Sequence, residues 1–149
     1  TEKGVLSGFV MNDKCAAGTG RFLDVMAKIL EVDVKELGDL GAKSTVSIPI
    51  SNVCTVFAES EVISQLAAGA SRADIAAGTH VSVANRVAGL VRRVGVVPEV
   101  VLTGGVAQNA GVVEAMEKAL GTRVTPAPMP QLTGALGAAL IAYEQAAKN

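Results

Sequence analysis

The chain has 149 residues, half of them hydrophobic, with a formal net charge of -1 and only 3% aromatic residues. That length and apolar content predict one ordinary domain with a real core rather than a disordered segment. The lack of a basic field and the scarcity of aromatics argue against nucleic-acid binding, and no apolar run approaches the roughly 20 residues of a membrane span.

The N-terminal residues Thr1 to Gly8 do not resemble a signal peptide, so the cytoplasm is the expected compartment. The start at Thr1, without a methionine, predicts a fragment of something longer. Gly4 to Met11 alternates loosely, which predicts a short strand or hairpin arm. In the stretch from Asn12 to Phe22, a cysteine is followed by small residues and two glycines. Phe22, Val25, Met26, Ile29 and Leu30 then recur at helical spacing and predict a helix from about Thr19 to Leu30. Cys15 is thereby expected at or just before a helix N-terminus, where unpaired N–H groups favour a thiolate.

Asp33 and Glu36 form an N-cap pair for a short helix to about Leu40. Val46 to Val53, interrupted by Pro49, reads as extended loop or edge strand. Cys54 opens a second helix, Thr55 to Ala67. Ser71 with Asp74 reads as the capping box of a long helix to about Val94. Val96 to Thr103 is β-branched and predicts a buried strand. Gly104-Gly105 turns the chain into a helix from Val106 to Leu120. Arg123 to Ala127 reads as a second strand, and a last helix from about Gly134 to Lys148 carries a glycine/alanine face suited to close packing. The β-α-β-α order of the second half is the signature of an α/β layer.

Two cysteines forty residues apart make neither a disulfide framework nor a CxxC motif. The plain reading makes each a small buried hydrophobe. The sharper one is iron–sulfur ligation, in which four thiolates are needed and a twofold dimer doubles the two present. His80 reads as a structural or surface residue rather than a ligand. Glu59 and Glu61 read as solvated surface, or else as residues of a nucleotide cleft or of an ion pair across an interface. Lys14 and Arg21 flank Cys15 as candidate cations. The strand–Gly-Gly–helix segment, Val100 to Asn109, has the geometry of a nucleotide or anion site but lacks both G-x-G-x-x-G spacing and a P-loop lysine. No Ser/His/Asp or Cys/His arrangement supports nucleophilic catalysis.

Four segments in order carry a family resemblance: Asn12 to Phe22 (NDKCAAGTGRF), Cys54 to Val62 (CTVFAESEV), Thr103 to Asn109 (TGGVAQN) and Pro130 to Ala139 (PQLTGALGAA). Together they resemble the activator component of 2-hydroxyacyl-CoA dehydratases and the related ATPase subunits of benzoyl-CoA reductases, over nearly the whole chain. The resemblance implies an α/β fold, the C-terminal lobe of an actin/sugar-kinase/Hsp70-like (ribonuclease H-like) ATPase, with residues 1–149 as a single lobe. It implies a homodimer holding one 4Fe–4S cluster, with Cys15 and Cys54 as each subunit's metal ligands. ATP or ADP with Mg2+ would be the nucleotide, with Gly104, Gly105 and Asn109 on the adenosine side of the cleft. The implied partners are a dehydratase or CoA-ester reductase and an electron donor such as ferredoxin or flavodoxin. The family's two Asp-x-Gly phosphate loops and its N-terminal lobe find no counterpart here. The expectation is therefore a truncated lobe, or one completed by another chain, that does not hydrolyse ATP alone. Two other readings stand beside this: the nucleotide-binding lobe of a non-redox sugar-kinase-like enzyme, and a structural dimerisation module with inert cysteines.

Overall fold

The computed structural model describes residues 6–147. Six α-helices and a two-stranded sheet follow one another as α1 (Gly20–Ile29), α2 (Leu37–Gly41), α3 (Thr55–Ala67), α4 (Arg72–Val94), β1 (Val100–Leu102), α5 (Ala110–Leu120), β2 (Val124–Pro126) and α6 (Thr133–Ala146), with a 3-10 turn at Gly105–Gln108. The α/β class expected from the second half is present, since β1 and β2 are parallel, Val100 opposite Val124 and Leu102 opposite Pro126, with α5 between them in sequence.

The core is built from helix faces. Phe22, Met26 and Leu30 recur every four residues, and all three are fully buried. They meet Leu37, Val62, Ile75 and Val83, with Val112 of α5 and Val124 of β2 closing the same cluster. Each such side chain taken out of water contributes about 1.5–3 kcal/mol, which is why α1, only ten residues long, is held by packing and not by propensity.

Three expectations are corrected. The strand expected over Val96 to Thr103 shrinks to Val100–Leu102, with Val101 57% exposed. A parallel strand is normally covered on both faces, but here the face that carries Val101 stays open, and among the described residues only β2 pairs with β1. Residues 6–11 form no strand, and Gly4 and Val5 lie outside the described residues. The close packing expected of the last helix is absent as well: α6 has no buried residue, and a Cβ on Gly134 or Gly137 would meet nothing within 4 Å. Lys148, the expected end of that helix, lies outside the described residues.

Two predicted caps resolve differently. Ser71 does cap α4, its side chain accepting from the Ala73 N–H. Asp74, however, turns away from the box and accepts from the Thr45 and Val46 N–H groups at 2.8 and 3.1 Å. A buried carboxylate with two charge-assisted bonds to a loop is worth more there than one reciprocal cap bond. Asp33 and Glu36 close a turn on each other, and α2 begins only at Leu37.

Candidate functional site

The segment Ile48–Val53 runs in extended form along one side of α4, and three α4 positions at four-residue steps receive it. Gly78 comes so close that a Cβ there would sit 1.8 Å from the Ile48 carbonyl oxygen. Ser82 Oγ donates to the Ser51 carbonyl at 3.1 Å. Arg86 Nη1 donates to the Asn52 and Val53 carbonyls at 2.9 and 3.3 Å. From α3, Glu61 Oε2 accepts the Ser51 N–H at 2.8 Å. Glu61 thus anchors its own loop instead of lining a cleft, and Glu59 makes no hydrogen bond or ion pair among the described residues.

This track delivers Cys54 to the first position outside α3, as its N-cap, with φ -146° and ψ 137°. Cys15 arrives from the other loop. Cys15 is expected at or just before a helix N-terminus, and the helix start it meets is not that of α1, the next helix in the chain. Ala16 to Thr19 form a turn, with the Thr19 N–H bonded to the Ala16 carbonyl, and α1 begins only at Gly20. Gly18, at φ +78°, bends that turn away. The Cys15 sulfur meets the start of α3 instead. Its thiol reaches the Val53 carbonyl at 3.9 Å and it accepts the Ala17 N–H at 3.5 Å. Its acidity is raised above that of an ordinary thiol by the Ala17 N–H first, then by the Thr55 N–H, against a desolvation that acts the other way, with help from the Arg86 charge. Both cysteines are half-buried free thiols, and they share one helix start.

The flanking cations read from the sequence are not the ones at the sulfur. Lys14 is exposed, and Arg21 points elsewhere, 4.0 Å from Asp24. Arg86, seventy residues from Cys15, was missed. The one available signal is the stripe Gly78–Ser82–Arg86, polar or small at four-residue steps on a helix whose other positions are half alanine and valine.

The Gly-Gly turn builds the other half of the region. Gly104 has φ +85° and ψ 177°, a conformation that strongly favours glycine, and its N–H is tied to the Pro130 carbonyl at 2.8 Å. Asn109 caps α5, its Oδ1 accepting the Val112 N–H at 3.0 Å. The predicted long helix is thus split into a 3-10 turn and α5. Gly105 and Asn109 line a cleft of about 440 Å³ together with Arg21, Lys35, Gln108 and Gln131. That volume suits a small-molecule ligand. Asn109 Nδ2 is buried without a hydrogen-bond partner, and the cleft that Asn109 helps to line carries two cations and two further amides. The sequence points to Gly105 and Asn109 but not to Arg21, Lys35 or Gln131 as cleft residues, because the start of α1 and two separate turns bring these three there.

The two halves touch. Gly20 lines the cleft, and a Cβ on it would meet Val106 at 3.4 Å. The same short stretch that ends in Gly20 begins at Cys15. Among the described residues no three His, Cys, Asp or Glu side chains gather into a metal-binding group. The donor set is therefore two thiols, half of what a tetrathiolate iron–sulfur group requires. His80, buried in the core, is no ligand in any such group. The outer face around the thiols is apolar and open, with Val53, Val56 and Phe57 each about two-thirds exposed. Among the described residues no helix is long and apolar enough to cross a membrane.

The glycine-turned ligand cleft and the helix start that carries two thiols lie side by side in an α/β chain of actin-like ATPase fold. The chain belongs to the BadF/BadG/BcrA/BcrD ATPase family, whose model matches residues 1–142. The (R)-2-hydroxyglutaryl-CoA dehydratase activating ATPase of Acidaminococcus fermentans is 63% identical over 147 residues, covering 99% of this chain and 56% of the relative. The activator of lactoyl-CoA dehydratase of Anaerotignum propionicum is 59% identical over 148 residues, 99% of this chain and 57% of the relative. The solved structure of the 2-hydroxyisocaproyl-CoA dehydratase activator from Clostridium difficile with bound ADPNP superposes with a TM-score of 0.94 at 57% identity, over 99% of this chain and 55% of that one. The chain spans about half the length of the relatives it matches.

Proposed function

We propose that residues 1–149 form a single lobe of an ATP-driven activator that delivers single electrons to a 2-hydroxyacyl-CoA dehydratase or a related CoA-ester reductase. In this reading Cys15 and Cys54 of two copies hold one 4Fe–4S cluster between them, and a ferredoxin or flavodoxin recharges it. Such a cluster, when bound, supplies a low-potential electron.

The observation that carries the reading is the meeting of both thiols at the start of α3. Two backbone N–H groups and the Arg86 charge favour the anionic form of Cys15, the form a metal requires. Cys54 stands one residue before α3, where the helix dipole favours negative charge. Since only two thiols are present, a second copy related by a twofold axis completes the set, and the open apolar faces of Val53, Val56 and Phe57 suit such a contact.

Gly104 turns the chain so that Gly105, in the cleft wall, brings the backbone up to an adenosine, Asn109 Nδ2 donates to it once a small shift of the wall uncovers it, and Arg21 and Lys35 supply charge. The Cys15–Gly20 stretch is common to both sites, so nucleotide occupancy and the thiol loop bear on one another mechanically. The printed names of three of the chain's relatives associate them with acyl-CoA dehydratases.

The test is anaerobic reconstitution with ferrous iron and sulfide. The expected result is a brown dimer with about four irons per two chains, abolished by Cys15→Ser and by Cys54→Ser. A colourless, iron-free protein that still binds ATP would replace this reading with a non-redox, kinase-like lobe. An assembled dimer indifferent to both cysteine substitutions would make it a structural module.

A further inference from the structure

Arg86 stands where the two cysteine-bearing loops come closest. Its side chain is 17% exposed, and its guanidinium divides its donors between them. Nη1 serves the Asn52 and Val53 carbonyls, the last two residues before Cys54. Nη2 makes a 2.6 Å ion pair with Asp13, two residues before Cys15. The aliphatic stem passes the Cys15 turn at Gly18, where a Cβ would lie 2.9 Å from the Arg86 Cγ. Gly18 thus gives the stem its passage, and Asn12, next to Asp13, fastens the turn by donating to the Ala17 carbonyl at 3.0 Å. Apart from Cys15, whose own thiol reaches the Val53 carbonyl at 3.9 Å, no other described side chain bonds to both loops.

We infer that Arg86 is a positioning residue, a three-way clamp that fixes the Cys15 loop and the Cys54 loop relative to each other and so presents the two sulfurs as one half-site. The ligand role of the sulfurs rests on the reading proposed above; the coupling of the loops does not. A guanidinium is suited to this because its rigid fork reaches acceptors in different directions at once, whereas an ammonium is a single point. Orientation of metal ligands by such neighbours typically accounts for 10–100-fold in metal affinity. The clamp also explains why a helix as long as α4 runs beneath both loops: its third and fourth turns are the common floor.

The experiment uses Arg86→Gln, Arg86→Lys and Asp13→Asn in the otherwise intact chain, with two readouts. The first is amide hydrogen exchange of the metal-free protein. Arg86→Gln is expected to speed exchange roughly tenfold or more in residues 12–18 and 51–54 together, with the buried middle of α4 unchanged. Asp13→Asn, which leaves α4 untouched, is expected to loosen 12–18 only. Wild-type exchange in 12–18 of Arg86→Gln overturns the clamp, and so does a uniform rise across the chain. The second readout is the rate at which iron, loaded as ferrous iron and sulfide under anaerobic conditions, passes to a chelator. Arg86→Gln is expected to lose iron about 10–100-fold faster than wild type, and Arg86→Lys nearly as fast. Full recovery by lysine shows that charge alone suffices and overturns the clamp. If the wild-type chain takes up no iron, the cluster reading fails, and the exchange data still decide whether Arg86 couples the loops.

Discussion

The ring of His80 in α4 lies edge-on against Gly111 of α5, so close that a Cβ on Gly111 would fall 2.4 Å from Nδ1 and 2.6 Å from Cε1. Gly41 of α2 stands against the same edge, at 2.6 and 2.8 Å by the same measure. Three helices therefore converge on one imidazole, and two of them can do so only because they lack a side chain at that point.

Gly111→Ala is expected to destabilise the chain. Helix propensity alone favours alanine by about 1 kcal/mol, but forcing a methyl into a packed ring costs typically 1–3 kcal/mol. The ring cannot yield, because Gly41 closes the same edge. Gly89→Ala is the control: it is helical and exposed, with nothing within 4 Å of its Cβ. Urea denaturation should move the two variants in opposite directions.

Stability should fall on mild acidification because of the same ring. Burial holds the His80 pKa down at about 4, against an ordinary 6.5, and the Glu114 charge opposes the shift only in part. A histidine with a lowered native pKa binds its proton more readily when unfolded. Stability from this residue is thus full above about pH 6.5 and is lost as pH falls towards 4. The loss amounts to about 2–3 kcal/mol. His80→Gln should flatten the dependence of the urea midpoint between pH 7 and 4.5; an unchanged slope would refute the assignment.

Gly78→Ala is expected to be the most damaging single-methyl change, because its Cβ would sit 1.8 Å from a backbone oxygen. The segment Ile48–Val53 must leave α4, which drags Cys54 with it. A loss of about 3 kcal/mol is expected, together with faster proteolysis between residues 46 and 53.

At Asn109 the two ends of one amide are separable. Asn109→Asp keeps an oxygen for the Val112 N–H, replaces the unpaired Nδ2 donor by an acceptor and adds a negative charge, which the N-terminus of α5 favours. Unfolding should be little changed, while ATP affinity measured by calorimetry should fall about tenfold or more, because a donor is lost and the anionic nucleotide meets a new carboxylate. Equal affinity would place the nucleotide outside this cleft.

Cys15 should alkylate at lower pH than a free thiol. In the Cys54→Ser chain, the pH profile of iodoacetamide labelling should rise below the ordinary 9.0, since the Ala17 and Thr55 N–H groups favour the thiolate. A profile centred on the ordinary value would show that these bonds do not form in solution.

The helices were legible in the sequence because their buried residues repeat at a helical step: Phe22, Met26 and Leu30 alone announce α1. The Gly104-Gly105 turn and the two cysteines were legible because each depends on a local property, a backbone angle or a thiol. What depended on distance along the chain was not legible. From the sequence, Cys15 is expected at or just before the N-terminus of the helix that follows it, since a sequence pattern speaks only of neighbours. Packing gave it instead to α3, across a turn at Gly18. Asp74 looked like half of a capping box until a loop thirty residues upstream offered it two donors.

By itself, then, the sequence determined which segments are helical, which residues carry chemistry and which family the motifs resemble, because periodicity and residue type are local. Only the tertiary structure decided that α4 is the floor under both cysteine loops, that Arg86 joins them, and that His80 fills a slot left by two glycines. Those relations arise from close packing between residues tens of positions apart, where a methyl group more or less determines which backbones can touch.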